Sequence, residues 1–318
     1  MRHAIAAVLL GLALPVAAVA QDGYPSKPVR VVVPFPSGPI DMQSRLYGAT
    51  LAQQMGQPFV VENKAGATGT IGADVVAKAA PDGYTVLMTV DLPIVKAPHL
   101  LKISYDPLKD FVPVAIFGED VNLVGVNPGA GLKTLDDLVA AAKAKPGAIN
   151  FGSAGNGSPA HLCGELIKRN AGLELTHVPY KGAGPALNAV LQGEVAIFCG
   201  PISALAPHVK AARLVALAHT GDAPAALLPE VKSLDDRWPG SVVSNWYGFL
   251  VPAKTPAPIV AALRRELRKA YDTPDVKARV VAAGVDVKWL EGAAATARIE
   301  GDYAKWGKLI REAKITAD

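Results

Sequence analysis

The feature that most constrains this chain is a rhythm. A short β-branched run leads into a loop marked by glycine or proline, then into a stretch with helical apolar spacing, and the pattern recurs along the sequence. Residues 29–34, Val-Arg-Val-Val-Val-Pro, open it. Near-continuous apolar character over the length of a strand marks a strand covered on both faces, as parallel sheets require. A loop through Phe35, Pro36, Ser37, Gly38 and Ile40 to Asp41 follows, and helical spacing runs on to Ala52. Residues 59–62 read as a second strand, 63–70 as a glycine-rich turn and 71–80 as a helix, after which Pro81-Asp82-Gly83 turns the chain into a strand at 84–89. Such alternation predicts an α/β fold with mainly parallel sheets and helices on both faces.

A second round begins after Tyr105-Asp106-Pro107. Residues 112–117 and 123–126 read as two strands, the latter broken by Asn127-Pro128-Gly129. Thr134 and Asp137 have the spacing of a capping box for a helix at 135–144, which Pro146-Gly147 stops. Strands are expected at 175–179, 195–199 and 214–218, with a loop at 180–184 and a helix at 185–192 ended by Gly193. Residues 246–252 read as a strand returning to the first domain. Two helices introduced by Thr255-Pro256 and Thr273-Pro274 follow, then a terminal amphipathic helix at about 294–313. The expected organisation is a leader at 1–20, a discontinuous first lobe at 21–122 and 245–318, and a second lobe at 123–244. Two lobes joined by two crossings place a ligand cleft where loops at the carboxyl ends of both sheets meet.

The stretch from Asn150 to His161 is the most ligand-like of these loops. Ser158 has the chemistry of an N-cap, Pro159 suits the first helical position, and Leu162, Leu166 and Ile167 continue with helical spacing. Gly152, Gly155 and Gly157 let the backbone turn sharply and present amide donors, and a helix N-terminus adds a partial positive charge suited to a carboxylate or phosphate. A polar connection that merely caps its own helix is the alternative.

Composition narrows the classes. Arg2 and His3 precede an apolar run to Ala20, and Ala18-Val19-Ala20 reads as a small-residue cleavage site, so export with a secretory signal peptide removed after Ala20 is expected. A membrane anchor fits less well, since Gly11 and Pro15 interrupt a segment at the short limit for spanning. The net charge of +4 is spread along the chain without a basic block interleaved with aromatics, which does not point to nucleic acid. Cys163 and Cys199 are the only cysteines; an oxidising compartment would allow them to pair, and the sequence leaves the pairing open. A metal site at His161, Cys163 and Glu165 matches none of the familiar zinc spacings, so no metal is expected.

Enzyme frames are missing. Gly-x-Ser-x-Gly, His-Glu-x-x-His, the phosphate loop and Gly-x-Gly-x-x-Gly do not occur, and six histidines leave few acid–base candidates. Ser158 and His161 have the spacing of a helix cap before that of a catalytic pair. Asp41, at a helix start, can cap the backbone or accept a hydrogen bond from a ligand, and Asp91 is a second loop carboxylate facing the same cleft.

Seven stretches together carry a resemblance. They are Tyr24-Pro-Ser-Lys-Pro-Val-Arg-Val-Val-Val-Pro-Phe35, Val61-Glu-Asn-Lys-Ala-Gly66, Lys78-Ala-Ala-Pro-Asp-Gly-Tyr84, Tyr105-Asp-Pro-Leu-Lys-Asp-Phe111, Ser153-Ala-Gly-Asn-Gly-Ser158, His177-Val-Pro-Tyr-Lys-Gly182 and Trp306-Gly-Lys308. In this order they resemble the Bug family, the periplasmic solute receptors of tripartite tricarboxylate transporters, over essentially the whole chain after the leader. The resemblance implies a Venus-flytrap fold of two α/β lobes closing on a small carboxylated ligand, without catalysis or cofactor, as a monomer that serves membrane transporter subunits. A sensor serving a signalling partner is the runner-up, and a secreted hydrolase the reading from another class.

The resemblance also implies where the ligand is gripped. In the first lobe the expected contacts are Phe35, Pro36, Ser37, Gly38, Ile40 and Asp41, with Asp91 behind them. In the second lobe they are Ser153, Ala154, Gly155, Gly157, Ser158 and His161, with Tyr180 and Pro201 beside them. Two departures from the family pattern stand out: the 36–41 loop is one residue shorter than usual with Ile40 in place of a threonine, and Gly200-Pro201 stands where Asp-Asn is usual. Fewer polar side chains imply a less polar pocket.

Overall fold

The computed structural model describes residues 23–36 and 38–316. The expected leader and Ser37 lie outside the described residues. Among the described residues ten strands form one continuous sheet. They are β1 (Val29–Val33), β2 (Phe59–Asn63), β3 (Thr85–Val90), β4 (Phe111–Val126), β5 (Asn150–Ser153), β6 (Thr176–Pro179), β7 (Ile197–Pro201), β8 (Val215–His219), β9 (Ser244–Pro252) and β10 (Asp286–Leu290). Around them pack α1 (Pro39–Met55), α2 (Thr70–Ala77), α3 (Leu135–Ala144), α4 (Pro159–Ala171), α5 (Ala183–Gln192), α6 (Ile202–Lys210), α7 (Leu234–Arg237), α8 (Ala257–Asp272), α9 (Pro274–Ala282) and α10 (Gly292–Glu312).

The strand order β2-β1-β3-β9-β4-β7-β5-β6 shows how the sheet is shared. β1 pairs in parallel with β2 and β3, and β5 in parallel with β6 and β7, as the βα rhythm requires. The crossing strands run antiparallel to their neighbours. β4 pairs with β9 from Phe111 to Val121 and then with β7 and β8 from Asn122 to Val126. One strand therefore belongs to both halves of the sheet, with the change of partner at Val121/Asn122.

The sequence suggests two strands here, at 112–117 and 123–126; the structure joins them into one of 16 residues. Polar residues in the gap caused the split, and both acidic ones are paired in the structure. Glu119 accepts from Ser244 Oγ and Lys288 Nζ, and Asp120 accepts from Asn245 Nδ2 and Tyr247 Oη.

Local chemistry sets the helix ends. The capping box at Thr134 and Asp137 forms with both hydrogen bonds in place, and α3 spans Leu135–Ala144. α4 begins with Ser158 as N-cap, its Oγ accepting from His161 N, and with Pro159 in the first turn. α1 is different: its N-cap is Gly38, which supplies no side-chain acceptor. Elements the sequence reading passes over are the π-helical turn at Leu92–Lys96, the 3-10 turn at Ala97–His99, helices α6 and α7 and strand β10. β10 buries none of its residues fully and α6 contains Pro207, so neither shows a clean periodic signal.

A large core cluster joins the halves, running from Val32 and Leu87 through Trp246 and Trp306 to Phe151, Leu162 and Cys163. α10 supplies Trp306, Leu309 and Ile310 to it, and Arg169 of α4 pairs with Glu312 of α10 at 3.1 Å. On the other face, Tyr47 of α1 packs against Phe117 with the rings tilted and 4.5 Å between centroids. Burying each such side chain is worth about 1.5–3 kcal/mol before its ordering cost. The second half has a further cluster around Phe198 and Leu205. There Cys163 and Cys199 form a disulfide, fastening α4 to β7.

Candidate functional site

A cavity of about 330 Å³ lies where the two halves meet. The loop before α1 contributes Phe35, Pro36 and Gly38, and the first turn of α1 contributes Ile40. Asp91 follows the end of β3, Asp120, Asn245 and Tyr247 come from the crossing strands, and Pro159 opens α4. The N-terminal turns of two helices, one from each half, thus border the same space. Orphan backbone amides and the helix dipole make each a place for negative charge. Because Gly38 brings no side-chain acceptor, the first turn of α1 is left open to an outside one. Larger concavities exist, about 640 Å³ between α1 and α9 and about 450 Å³ behind the crossing strands, but neither is lined by residues from the N-terminal turns of two helices.

Asp41 neither caps α1 nor lines this cavity. Its two carboxylate oxygens accept from Arg45 Nε and Nη2, each at 3.0 Å, and Asn63 Nδ2 donates to Oδ1 at 3.0 Å. Asn63 also donates to the Phe35 carbonyl at 2.9 Å. Asp41 therefore braces the loop, and the hydrogen bonds from Arg45 hold its carboxyl below the usual range.

Asp91 does line the cavity, but as a buried group rather than a loop carboxylate in solvent. Lys96 Nζ approaches Oδ2 at 2.7 Å, both side chains being fully buried, while Oδ1 has no hydrogen-bond donor. Lys96 also donates to Asn245 Oδ1 at 2.8 Å and lies 4.9 Å from the Trp306 ring. Asn245 in turn donates to Asp120 at 2.6 Å, and Tyr247 does so at 3.0 Å. Asp91, Asn245, Asp120 and Tyr247 so form the cavity's inner wall, and Lys96, behind them, links Asp91 to Asn245. Burial pushes Asp91 up to about 6 against the opposing pull of Lys96, and burial likewise raises Asp120.

The second-half loop is arranged differently from the simple expectation. Gly155 N donates to Ser153 Oγ at 3.2 Å, Gly157 N to His161 Nδ1 at 3.1 Å and Ser158 N to the Gly155 carbonyl at 3.2 Å. Three amides expected to face a ligand are thus engaged inside the loop. Gly157 has a left-handed φ of 71°, and a Cβ there would stand 2.9 Å from Leu100 Cδ1. Ser153 is buried against His177, whose Nε2 lies 2.6 Å from its Oγ, and the His161 and His177 rings stack at 3.8 Å. Ala154 is half-buried in the same loop. The Tyr180 ring lies over Gly152, and Pro201 ends β7 opposite Asn122; neither borders the cavity. Of the stretch from Asn150 to His161, Pro159 is what reaches the cavity wall.

Residues the sequence reading missed are Asp120, Asn245, Tyr247 and Lys96. Asp120 was visible only as a polar break in an apolar run. Cys163 is committed to the disulfide and so is not a metal ligand. Among the described residues no cluster of His, Cys, Asp or Glu is placed to hold a metal ion, and no helix is long and apolar enough to cross a membrane.

Two α/β halves that share crossing strands, with a cavity between them at two helix N-termini, define a solute-binding protein of the periplasmic type. The likeness to solved structures agrees: the periplasmic binding protein BugD superposes with a TM-score of 0.71 at 29% identity, over 93% of this chain and 100% of that one. The R. palustris protein Rpa4515, solved with adipate, gives 0.73 at 30% identity over 93% and 100%. The family described as the tripartite tricarboxylate transporter family receptor is matched over residues 44–315, and the chain belongs to it. Protein BugT of Bordetella pertussis (strain Tohama I) is 34% identical over 306 residues, 95% of this chain and 93% of its own length. Family and fold are those of solute-binding receptors rather than of enzymes.

Proposed function

We propose that the chain captures a small carboxylate between a first lobe (21–122 and 245–318) and a second lobe (123–244), and hands it to the membrane subunits of a tripartite transporter without chemical change. The leader is cleaved after Ala20, and the receptor works in the periplasm as a monomer. The observation that carries the reading is the meeting of the α1 and α4 N-termini on one cavity. The carboxylate sits against the open first turn of α1, between Gly38 and Ile40, and Pro159 closes on it from the other lobe. Gly155, Gly157 and Ser158 act one step back, by holding the start of α4 in place.

Binding to the folded state alone links affinity to stability. A ligand at about 100 times its dissociation constant should add roughly 2.7 kcal/mol, which is several degrees in melting temperature for a chain of this size. A thermal-shift screen of carboxylates should find such a shift, and calorimetry should show the methyl ester of the best hit binding at least about tenfold worse, the loss of one charge-assisted contact. Equal binding of acid and ester would defeat the helix-terminus reading. Recovery of the ligand unchanged after long incubation is expected; turnover would instead establish a hydrolase.

A further inference from the structure

The wall of the cavity opposite the helix termini has a polarity of its own. It carries two carboxylates, Asp91 and Asp120, while among the described residues no Lys, Arg or His borders the space. Lys96, behind Asp91 and Asn245, is fully buried and already engaged by Asp91, Asn245 and the face of Trp306. Asp91 Oδ1 is buried and lacks a donor, which is costly for a carboxylate unless something else supplies one. Each oxygen of Asp120 accepts one hydrogen bond, from Asn245 or Tyr247, and a carboxylate oxygen has room for a second. The inner wall thus presents carboxylate acceptors from the end of β3 and from β4, and with Lys96 paired to Asp91 it carries one net negative charge.

We infer that the ligand is a carboxylate whose other end donates hydrogen bonds, as an ammonium or a hydroxyl group does, and that this end docks on Asp120 and Asp91. The inference rests on the carboxylate reading above. Its geometry is that of a dipole: the anionic end lies at the helix termini and the donor end at the acidic wall. A dicarboxylate would set its second charge against a wall that is net negative even with Lys96 paired to Asp91, and like charges brought together in a partly dry site repel strongly. Asp120 is then a specificity-determining residue, through its hydrogen-bonding and charge, rather than a part of the carboxylate grip.

The test is calorimetry on the purified protein with three series of matched chain length: γ-aminobutyrate, γ-hydroxybutyrate and succinate, each with its shorter and longer homologues. The tightest amino or hydroxy acid is expected to bind at least about tenfold more tightly than the dicarboxylate of its own length, a difference of about 1.4 kcal/mol. In Asp120→Asn, which keeps the shape and removes the charge, that preference should shrink about tenfold or more. The fall should be larger for the amine than for the hydroxyl, because only the amine loses an ion pair. A melting curve without ligand checks that the variant folds, and the wild-type series decides the matter even if it does not. A dicarboxylate that binds wild type as tightly as its amino and hydroxy counterparts overturns the inference and leaves the carboxylate reading standing. Failure of every carboxylate, with binding of neutral sugars or free amines, overturns both.

Discussion

Asp41 shows how much a single residue's role depends on partners that are distant in sequence. Its position before a helix suggests a cap or a ligand contact, and both were reasonable for a carboxylate in that place. What decides otherwise is Arg45 one turn on, whose spacing is visible in the sequence, and Asn63 at the end of β2, which only the parallel pairing of β1 with β2 brings alongside. Asp41→Asn should cost about 1 kcal/mol of stability, since Arg45 is largely exposed and exposed pairs are weak. Affinity should change little. The pH dependence has a definite sign. A carboxyl held below its ordinary value of 3.8 contributes stability that is fully present above that value and is lost as the pH falls through the lowered one. The gap between wild-type and variant melting temperatures should therefore be open at neutral pH and close in strong acid. A variant that melts like wild type but binds ligand poorly would return Asp41 to the ligand.

Among the elements, α4 and β4 mark the two limits of legibility. Ser158, Pro159 and the apolar spacing after them announce the start of α4, and the helix lies where they place it. Its anchorage could not be read: Cys163 and Cys199 are obvious as residues, but their pairing depends on α4 lying across β7, which follows from the strand order and not from spacing. In the chain-entropy picture a cross-link over a separation of 36 residues stabilises by up to about 4 kcal/mol. Reduction, or Cys163→Ala with Cys199→Ala, should lower the melting temperature accordingly. Affinity should also weaken, because α4 presents Pro159 to the cavity; an unchanged affinity would mean the core packing of Leu162 and Leu166 positions the helix unaided. β4 is the opposite case. Its polar interruption at Glu119 and Asp120 is a poor strand signal by pattern, yet that interruption carries the inner wall of the cavity. Polar residues within an apolar strand are costly to bury, and here they are retained with partners drawn from β9, β10 and α10. The same chemistry that hides the strand from a pattern reading marks the site.

For the whole molecule, alternation along β4 separates two faces of the shared strand. Asp120 and Asn245 face the cavity, so Glu119, its neighbour in the chain, faces the other way. On that far side Lys288 of β10 reaches Glu119 Oε1 at 2.7 Å and Asp222 Oδ2 at 2.8 Å. Asp222 belongs to the loop after β8, in the second half of the sheet, so Lys288 ties the halves together behind the crossing strands. If the lobes swing about those strands, closing the front of the cleft must draw the back apart, and this ion pair opposes closure. Lys288→Met keeps the apolar stem and removes the tie, leaving Glu119 with Arg298. The unliganded variant should show a smaller radius of gyration in solution scattering than unliganded wild type, and the two should converge at saturating ligand. A larger closed fraction raises apparent affinity in proportion. The gain should be roughly two- to fivefold, since Asp222 is 43% exposed and such a pair is worth about 1 kcal/mol or less. Added salt screens the pair in wild type alone, so the ratio of the two affinities should fall toward one as ionic strength rises. A variant that is more open and binds more weakly would show instead that Lys288 holds the lobes shut.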